Sequence, residues 1–436
     1  MLVANGENTV DTVAVQVLAP DLLQPISVAK MDPTAPLVIH EVLPTEILAI
    51  IFEEHAKLEW RAPAIDGRVC RIWKQTVLNT PRAWAYLEIS GDEPPRMGEL
   101  RSWLLRSGTA PLHIRVDRSL TCGEDVNVRT LYDILGDHHS RIVSLRLLRA
   151  GPALFEGRGF PCLRLLDVKD LYPIHSTLRT VRWESMPELQ SLRLHTTRRV
   201  ALPWSELGLP KVLALYDTRI YSIPNHSQSL TTLMLDRVSV EGAIKGPVAL
   251  PSLTYLSLHT VLDLKSHLNV PSLVTYHEGW NVVRESFSAP VTSLVEYGIL
   301  GLDLNDSHHE HWHRSFPNIS RLAIRGPPVD LIPSLRSLSR HPHSLPMLQS
   351  ISVRVIGASL TGEDRETMES LIRGRSEACG TEVAIYFEIK PPYQIPLFFG
   401  EVSHYLSKDL CVSDAHSRTQ NFLTEGRQDL GPSFSG

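Results

Sequence analysis

A Pro-x-Leu-x-x-Leu-x-Leu pattern recurs through the middle of this chain, and a repeat of that kind dictates the architecture wherever it occurs. It is spelled by PCLRLLDV at 161–168, PELQSLRL at 187–194, PKVLALYD at 210–217, PSLTYLSL at 251–258, PSLVTYHE at 271–278, PNISRLAI at 317–324 and PMLQSISV at 346–353. Three related copies lack the proline: IVSLRL at 142–147, LTTLML at 230–235 and LVEYGI at 294–299. Their first apolar positions lie 18 to 29 residues apart, close to the spacing of leucine-rich repeats.

Each copy reads as a short strand whose leucines face an interior while the residues between them face outward. One strand and its turn cannot bury that surface, whereas a stack of them builds a continuous core. The proline is expected to end the preceding return segment, where the ladder needs no donor. The copies are degenerate and their return segments short, so the expected array is an irregular solenoid: a curved, mostly parallel sheet with short helices and loops. LHIRV at 112–116 and VRTLYDIL at 128–135 are expected to open the array as strand and helix. At its far end, 361–380 carries Met368, Leu371 and Ile372 on one helical face, and TEVAIYFEI at 381–389 alternates like a last strand.

Upstream lie two amphipathic segments. Pro44 suits the start of a helix, and Ile47, Leu48, Ile51 and Phe52 then fall on one face, with Thr45, Glu46, Glu53 and Glu54 opposite. In 68–79, Val69, Ile72, Trp73, Thr76 and Val77 trace a second stripe against Arg68, Arg71, Lys74 and Gln75. Pro81 ends that helix near Asn79. The unit, which includes Trp60, Trp73 and Trp84, is too small to be stable without leaning on something larger. Residues 1–38 show no periodicity and read as a flexible leader; 391–436 is polar, rich in Gly and Ser, and reads as a disordered tail.

LPTEILAIIFEEH at 43–55 followed by APAIDGRVCRIWKQTVLNTPRAW at 62–84 resembles the F-box-like domain of mushroom-forming (basidiomycete) fungi. The likeness rests on the Leu-Pro-x-Glu-Ile-Leu opening, the Val-Cys-Arg-x-Trp segment and the Thr-Pro-x-x-Trp close, in order. It departs from the family at Asp66-Gly67, where relatives continue with apolar residues. The resemblance implies an α/β chain with a three-helix F-box-like module over 39–86, then a leucine-rich-repeat-like solenoid over 87–390. It further implies an adaptor of an SCF-type cullin-RING ubiquitin ligase, the module binding the Skp adaptor and through it a cullin scaffold, the repeats binding a protein target. Carried over by position, the adaptor contacts would be Leu43, Pro44, Ile47, Leu48, Val69, Cys70, Trp73, Leu78 and Trp84. The alternative is an interaction scaffold in which these helices only cap the repeats.

Composition narrows the remaining classes. A net charge of −5 provides no global basic field, so nucleic acid is not the expected partner. No run approaches the roughly 20 apolar residues of a membrane span, and five scattered cysteines suit a reduced compartment, cytoplasmic or nuclear. Phosphate-binding glycine loops and nucleophile elbows are absent from the sequence, so no enzyme activity and no cofactor are expected. His308-His309-Glu310-His311-Trp312-His313 has two histidines at helical i, i+4 spacing, yet its place in a return segment makes a solvated loop the better reading than a metal site. Cys70 sits in the second apolar stripe and reads as a packing residue. Arg146, Arg164, Arg193 and Arg321 recur at or beside outward positions, either as a solvated face or as candidates for holding an acidic target.

Overall fold

The computed structural model describes residues within the span 43–390, apart from several internal stretches such as 118–125, 171–181 and 301–315. The expected leader and tail, the histidine cluster at 308–313 and most of 361–380 lie outside the described residues. The chain is mixed α/β and is dominated by one long parallel sheet.

Thirteen strands compose that sheet, each paired in parallel with the next in chain order. They are β1 Tyr86–Ser90, β2 Leu112–Asp117, β3 Ile142–Leu148, β4 Leu165–Asp170, β5 Ser191–Thr196, β6 Val212–Tyr216, β7 Thr232–Asp236, β8 Tyr255–His259, β9 Thr275–Glu278, β10 Glu296–Leu300, β11 Arg321–Gly326, β12 Ser350–Ile356 and β13 Ala384–Lys390. All ten repeat copies are the consecutive strands β3 to β12. Register keeps the repeat leucines in line: Ile114, Leu145, Leu166, Leu192, Leu213, Leu233 and Leu256 are successive Cα partners, and every one is buried. Because side chains alternate with period two, one row of aligned leucines commits the residues between them to the other face.

The recurrent proline has a more specific role than closing a return segment. In Phe160–Leu163, Met186–Leu189, Leu250–Leu253, Val270–Leu273 and Leu345–Leu348 it is the second residue of a four-residue turn. Each turn is closed by the fourth N–H donating to the first carbonyl at 3.1–3.2 Å. Proline at that position presets φ and sacrifices no needed donor, while the first and fourth residues of every one of these turns are buried and apolar. The turn thus plants two core residues before each strand begins.

Before the sheet come helices α1 Thr45–Leu58, α2 Ala62–Asp66 and α3 Arg71–Leu78; α4 Met97–Arg106 and α5 Val126–Gly136 connect the first strands, and α6 Pro328–Arg340 lies between β11 and β12. Within 56–67, where the F-box-like resemblance weakens, residues 62–66 form α2, whose buried Asp66 carboxylate lies 3.2 Å from His55 Nδ1. Helix α3 begins after Cys70 rather than at Arg68: Cys70 is its N-terminal cap, with Sγ accepting from the Trp73 N–H at 3.4 Å, so the cysteine is not inside the helical stripe. Helix α1 also departs from the single apolar face read from its spacing. Leu48, Phe52 and Ala56 point inward, whereas Ile47, Ile50 and Ile51 are exposed.

The helical unit leans on the sheet through tryptophan. Trp84 and Trp103 of α4 meet edge-on with centroids 4.7 Å apart, Trp60 lies 5.2 Å from Trp103, and the Trp84 indole donates to the Val77 carbonyl at 2.8 Å. One hydrophobic core consequently runs from Leu48 in α1 to the far strands. Arg141 stitches the same corner, donating to the Leu104 and Ala110 carbonyls and to Ser107 Oγ at 2.9–3.2 Å, where a cation complements the C-terminal end of α4.

One core position breaks the apolar rule. The inward row Ile89, Val116, Leu147, Val168, Leu194, Leu215, Leu235 and Leu258 continues in register to Glu278. Its carboxylate pairs with Lys265 at 3.2 Å and accepts from the Tyr297 hydroxyl at 2.6 Å. Lys265 is 5% exposed, and its ammonium lies 5.1 Å from the Tyr276 ring and 5.3 Å from that of Phe287. Burial and the adjacent Glu278 raise the Tyr276 hydroxyl pKa well above its usual value. Removing one partner of a buried pair strands the other charge, so Lys265→Ala is expected to lower stability by about 3–5 kcal/mol in chemical unfolding. Lys265→Met with Glu278→Leu is expected to restore most of that loss; a double variant as weak as the single one would contradict this reading of the pair.

Candidate functional site

Two surfaces stand out: the exposed side of α1–α3 and the outer face of the first strands. Of eleven large hydrophobic side chains left exposed among the described residues, eight belong to the helical unit. They are Ile47, Ile50, Ile51, Leu58, Ile65, Val69, Ile72 and Leu78, with Leu58 at 87% exposure. Exposed apolar residues are ordinarily scattered, so their concentration on so small a unit is unusual.

The nine positions singled out from the sequence divide between that surface and the core beneath it. Ile47, Val69 and Leu78 are exposed apolar residues, and Pro44 is exposed at the α1 cap. Leu43, Cys70 and Trp73 are half-buried; Trp73 packs edge-on against Phe52 at 5.1 Å. Leu48 and Trp84, each 1% exposed, hold the unit together and offer nothing to a partner. Ile50, Ile51, Leu58, Ile65 and Ile72 are exposed as well and are not among those nine. An apolar residue at helical spacing reads as core by default, and only the packing of α1 on Trp84 reveals which side is left over.

On the sheet's outer face, Glu88, Arg115, Arg146, Asp167 and Arg193 stand side by side as successive Cα partners on β1 to β5. The same row continues as Ala214, Met234, Ser257, His277, Gly298, Ala323 and Ser352, without a formal acid or strong base. From β6 to β9 this stretch is roofed by its own side chains: Ala214 and Met234 are buried with Tyr216 against Tyr255, and the Tyr255 hydroxyl meets His277 Nδ1 at 3.1 Å. Gly298 is required there, because a Cβ would come within 2.6 Å of the His277 ring. At the outer edge, His195 bonds Asp217 at 2.6 Å, and Arg237 holds the same carboxylate at 2.8 Å.

The four arginines read from the sequence do not form one patch. Arg146 and Arg193 share the charged row with Asp167 between them, whereas Arg164 lies in the turn before β4 and Arg321 begins β11, eight strands from Arg146. Arg193 is only 9% exposed. Arg115 was missed because β2 does not spell the repeat, although register makes it the direct neighbour of Arg146. Burial raises the Asp167 carboxyl pKa against the pull of Arg193 and Arg146.

Where α1 ends against this row, a cleft of about 240 Å³ is lined by Lys57, Trp60, Tyr86, Glu88, His113, Ser144 and the two exposed arginines 115 and 146. His113 stacks on Tyr86 at 4.7 Å with the rings 11° from parallel. Among the described residues, no group of three or more His, Cys, Asp or Glu side chains is arranged to hold a metal ion, and no helix is long and apolar enough to cross a membrane. No protein-family model matches the chain, and no curated protein matches it.

Burial, aided by Lys57 and Arg146, lowers the His113 pKa from 6.5 to about 4. The unfolded chain therefore binds the proton first, and the folded state loses stability as pH falls from about 6.5 to about 4. His113→Phe, which keeps a flat ring against Tyr86, is expected to show a smaller drop in unfolding midpoint between pH 7 and pH 5 than the wild type. An unchanged drop would mean that His113 is already charged in the fold.

Proposed function

We propose that the chain is a substrate-recognition adaptor of an SCF-type cullin-RING ubiquitin ligase. In this reading α1–α3 are an F-box-like module that docks on the Skp adaptor, and the sheet is a degenerate leucine-rich-repeat solenoid that captures a protein target. The observation that carries it is the crowding of exposed apolar side chains onto the segment that bears the F-box-like residues. Burying several such side chains against a partner gains roughly 1.5–3 kcal/mol each at full burial, enough to drive a specific contact. The mechanism is proximity: the chain contributes no bond-making group and raises the effective concentration of a target lysine near the charged enzyme.

A second reading keeps the helices as a mere end cap of the repeats. It is favoured by the continuity of the core from Leu48 through Trp84 and Trp103 into the sheet, since solenoids need covered ends. A cap, however, has no use for isoleucines on its solvent side. The triple variant Ile47→Asp, Ile50→Asp, Ile51→Asp separates the two. It is expected to melt within a few degrees of the wild type, as exposed substitutions do, and to lose capture of purified Skp adaptor by at least about a hundredfold. Wild-type protein that fails to bind the adaptor, or a triple variant that binds it equally well, would leave the capping reading standing.

A further inference from the structure

The proposed function leaves open where on the sheet a partner is held and by what chemistry. We propose that the cleft between the end of α1 and β1–β3 receives an acidic side chain of a captured peptide segment, gripped by Arg115 and Arg146. This deepens the target-capture half of the proposed function and rests on it.

Charge supports the assignment. Lys57, Arg115 and Arg146 line the cleft with one carboxylate, Glu88, and Asp167 flanks Arg146 on the next strand. Lys57 is engaged by Glu53 and Glu54 of its own helix, and Arg115 meets Glu88 at 3.5 Å. Arg146 is drawn toward Asp167, its partner on β4, but makes no ion pair within 4 Å and no hydrogen bond among the described residues, so its donors can turn to a ligand. The two arginines are direct partners on adjacent parallel strands, about 4.8 Å apart at the backbone. Like charges so placed repel, and an anion set between them relieves the repulsion while accepting forked hydrogen bonds.

Size and surroundings point to a peptide. About 240 Å³ leaves room for one or two side chains. Trp60 and the Tyr86–His113 stack wall the cleft, which lowers the local dielectric and strengthens a charge-assisted bond. Glu88 and Asp167 interrupt the basic row, which disfavours a continuous polyanion such as nucleic acid. From β6 to β9 the outer face is covered by its own tyrosines and His277, whereas the charged end beside the helices is open.

The test uses the full chain and a fluorescein-labelled decapeptide of alternating Glu and Ala, compared by anisotropy with its Gln-for-Glu counterpart. The Glu peptide is expected to bind at least about tenfold tighter, the order of one charge-assisted hydrogen bond, and the preference should shrink in high salt. R115Q/R146Q should erase the preference, and R101Q on the exposed side of α4 should keep it. R146Q alone, which removes no bond of the fold, should already lower it several-fold, so the result does not hinge on the double variant folding. Equal binding of the two peptides, a preference that survives R146Q and R115Q/R146Q, or tighter binding of a DNA oligonucleotide would overturn the proposal. Capture of Skp adaptor is measured on the same proteins: if it persists while the peptide preference is absent, only this inference falls. If it fails in the wild type, the ligase reading falls while the anion preference still stands or falls on its own data.

Discussion

Everything in this chain depends on the parallel register that lines up the inward leucines of successive strands. A shift of one residue in any strand would turn its leucines to the outer face and bring polar side chains into the core, so each repeat disciplines the next. The proline turns reinforce this by fixing where the strand begins and by burying an apolar residue on either side of the turn. The Glu278–Lys265 pair shows how strong the constraint is. A carboxylate forced into an inward position is retained only with an ammonium, a hydroxyl and aromatic faces arranged around it.

The same register makes the surfaces. By aligning outward positions it gathers Glu88, Arg115, Arg146, Asp167 and Arg193, which are more than a hundred residues apart at the extremes, into a single row. The helical unit gains its place from the Trp84–Trp103 contact, and that choice of buried side decides which isoleucines stay in water. Two unlike surfaces thereby meet at the end of α1, one rich in exposed isoleucine and leucine and one charged.

Much of this architecture could be read from residues alone, because the repeat carries it redundantly. Ten copies of one pattern proclaim ten strands, and the lack of the proline in the copies that begin at 142, 230 and 294 does not hide them. Where a feature was written once, reading was weaker. Strand β1, helix α4 and helix α6 repeat nothing and passed unremarked, although α4 supplies the tryptophan on which the helical unit rests. The two faces of α1 were merged because isoleucine has the same hydropathy whether it faces a core or a partner. Arg115 escaped notice because its importance lies in register with Arg146, a relation between strands that no local window contains. Conversely, Arg321 was grouped with Arg146 by its place in the repeat and is separated from it by eight strands.

In the proposed function the helical unit docks on the Skp adaptor and β3 to β12 stay clear of that contact. Hydrogen–deuterium exchange of the full chain with and without purified Skp adaptor tests it directly. Added protection is expected in peptides covering Ile47–Leu58 and Ile65–Leu78, with β3 to β12 unchanged. Absence of any protection, or protection confined to the strands, would contradict the account.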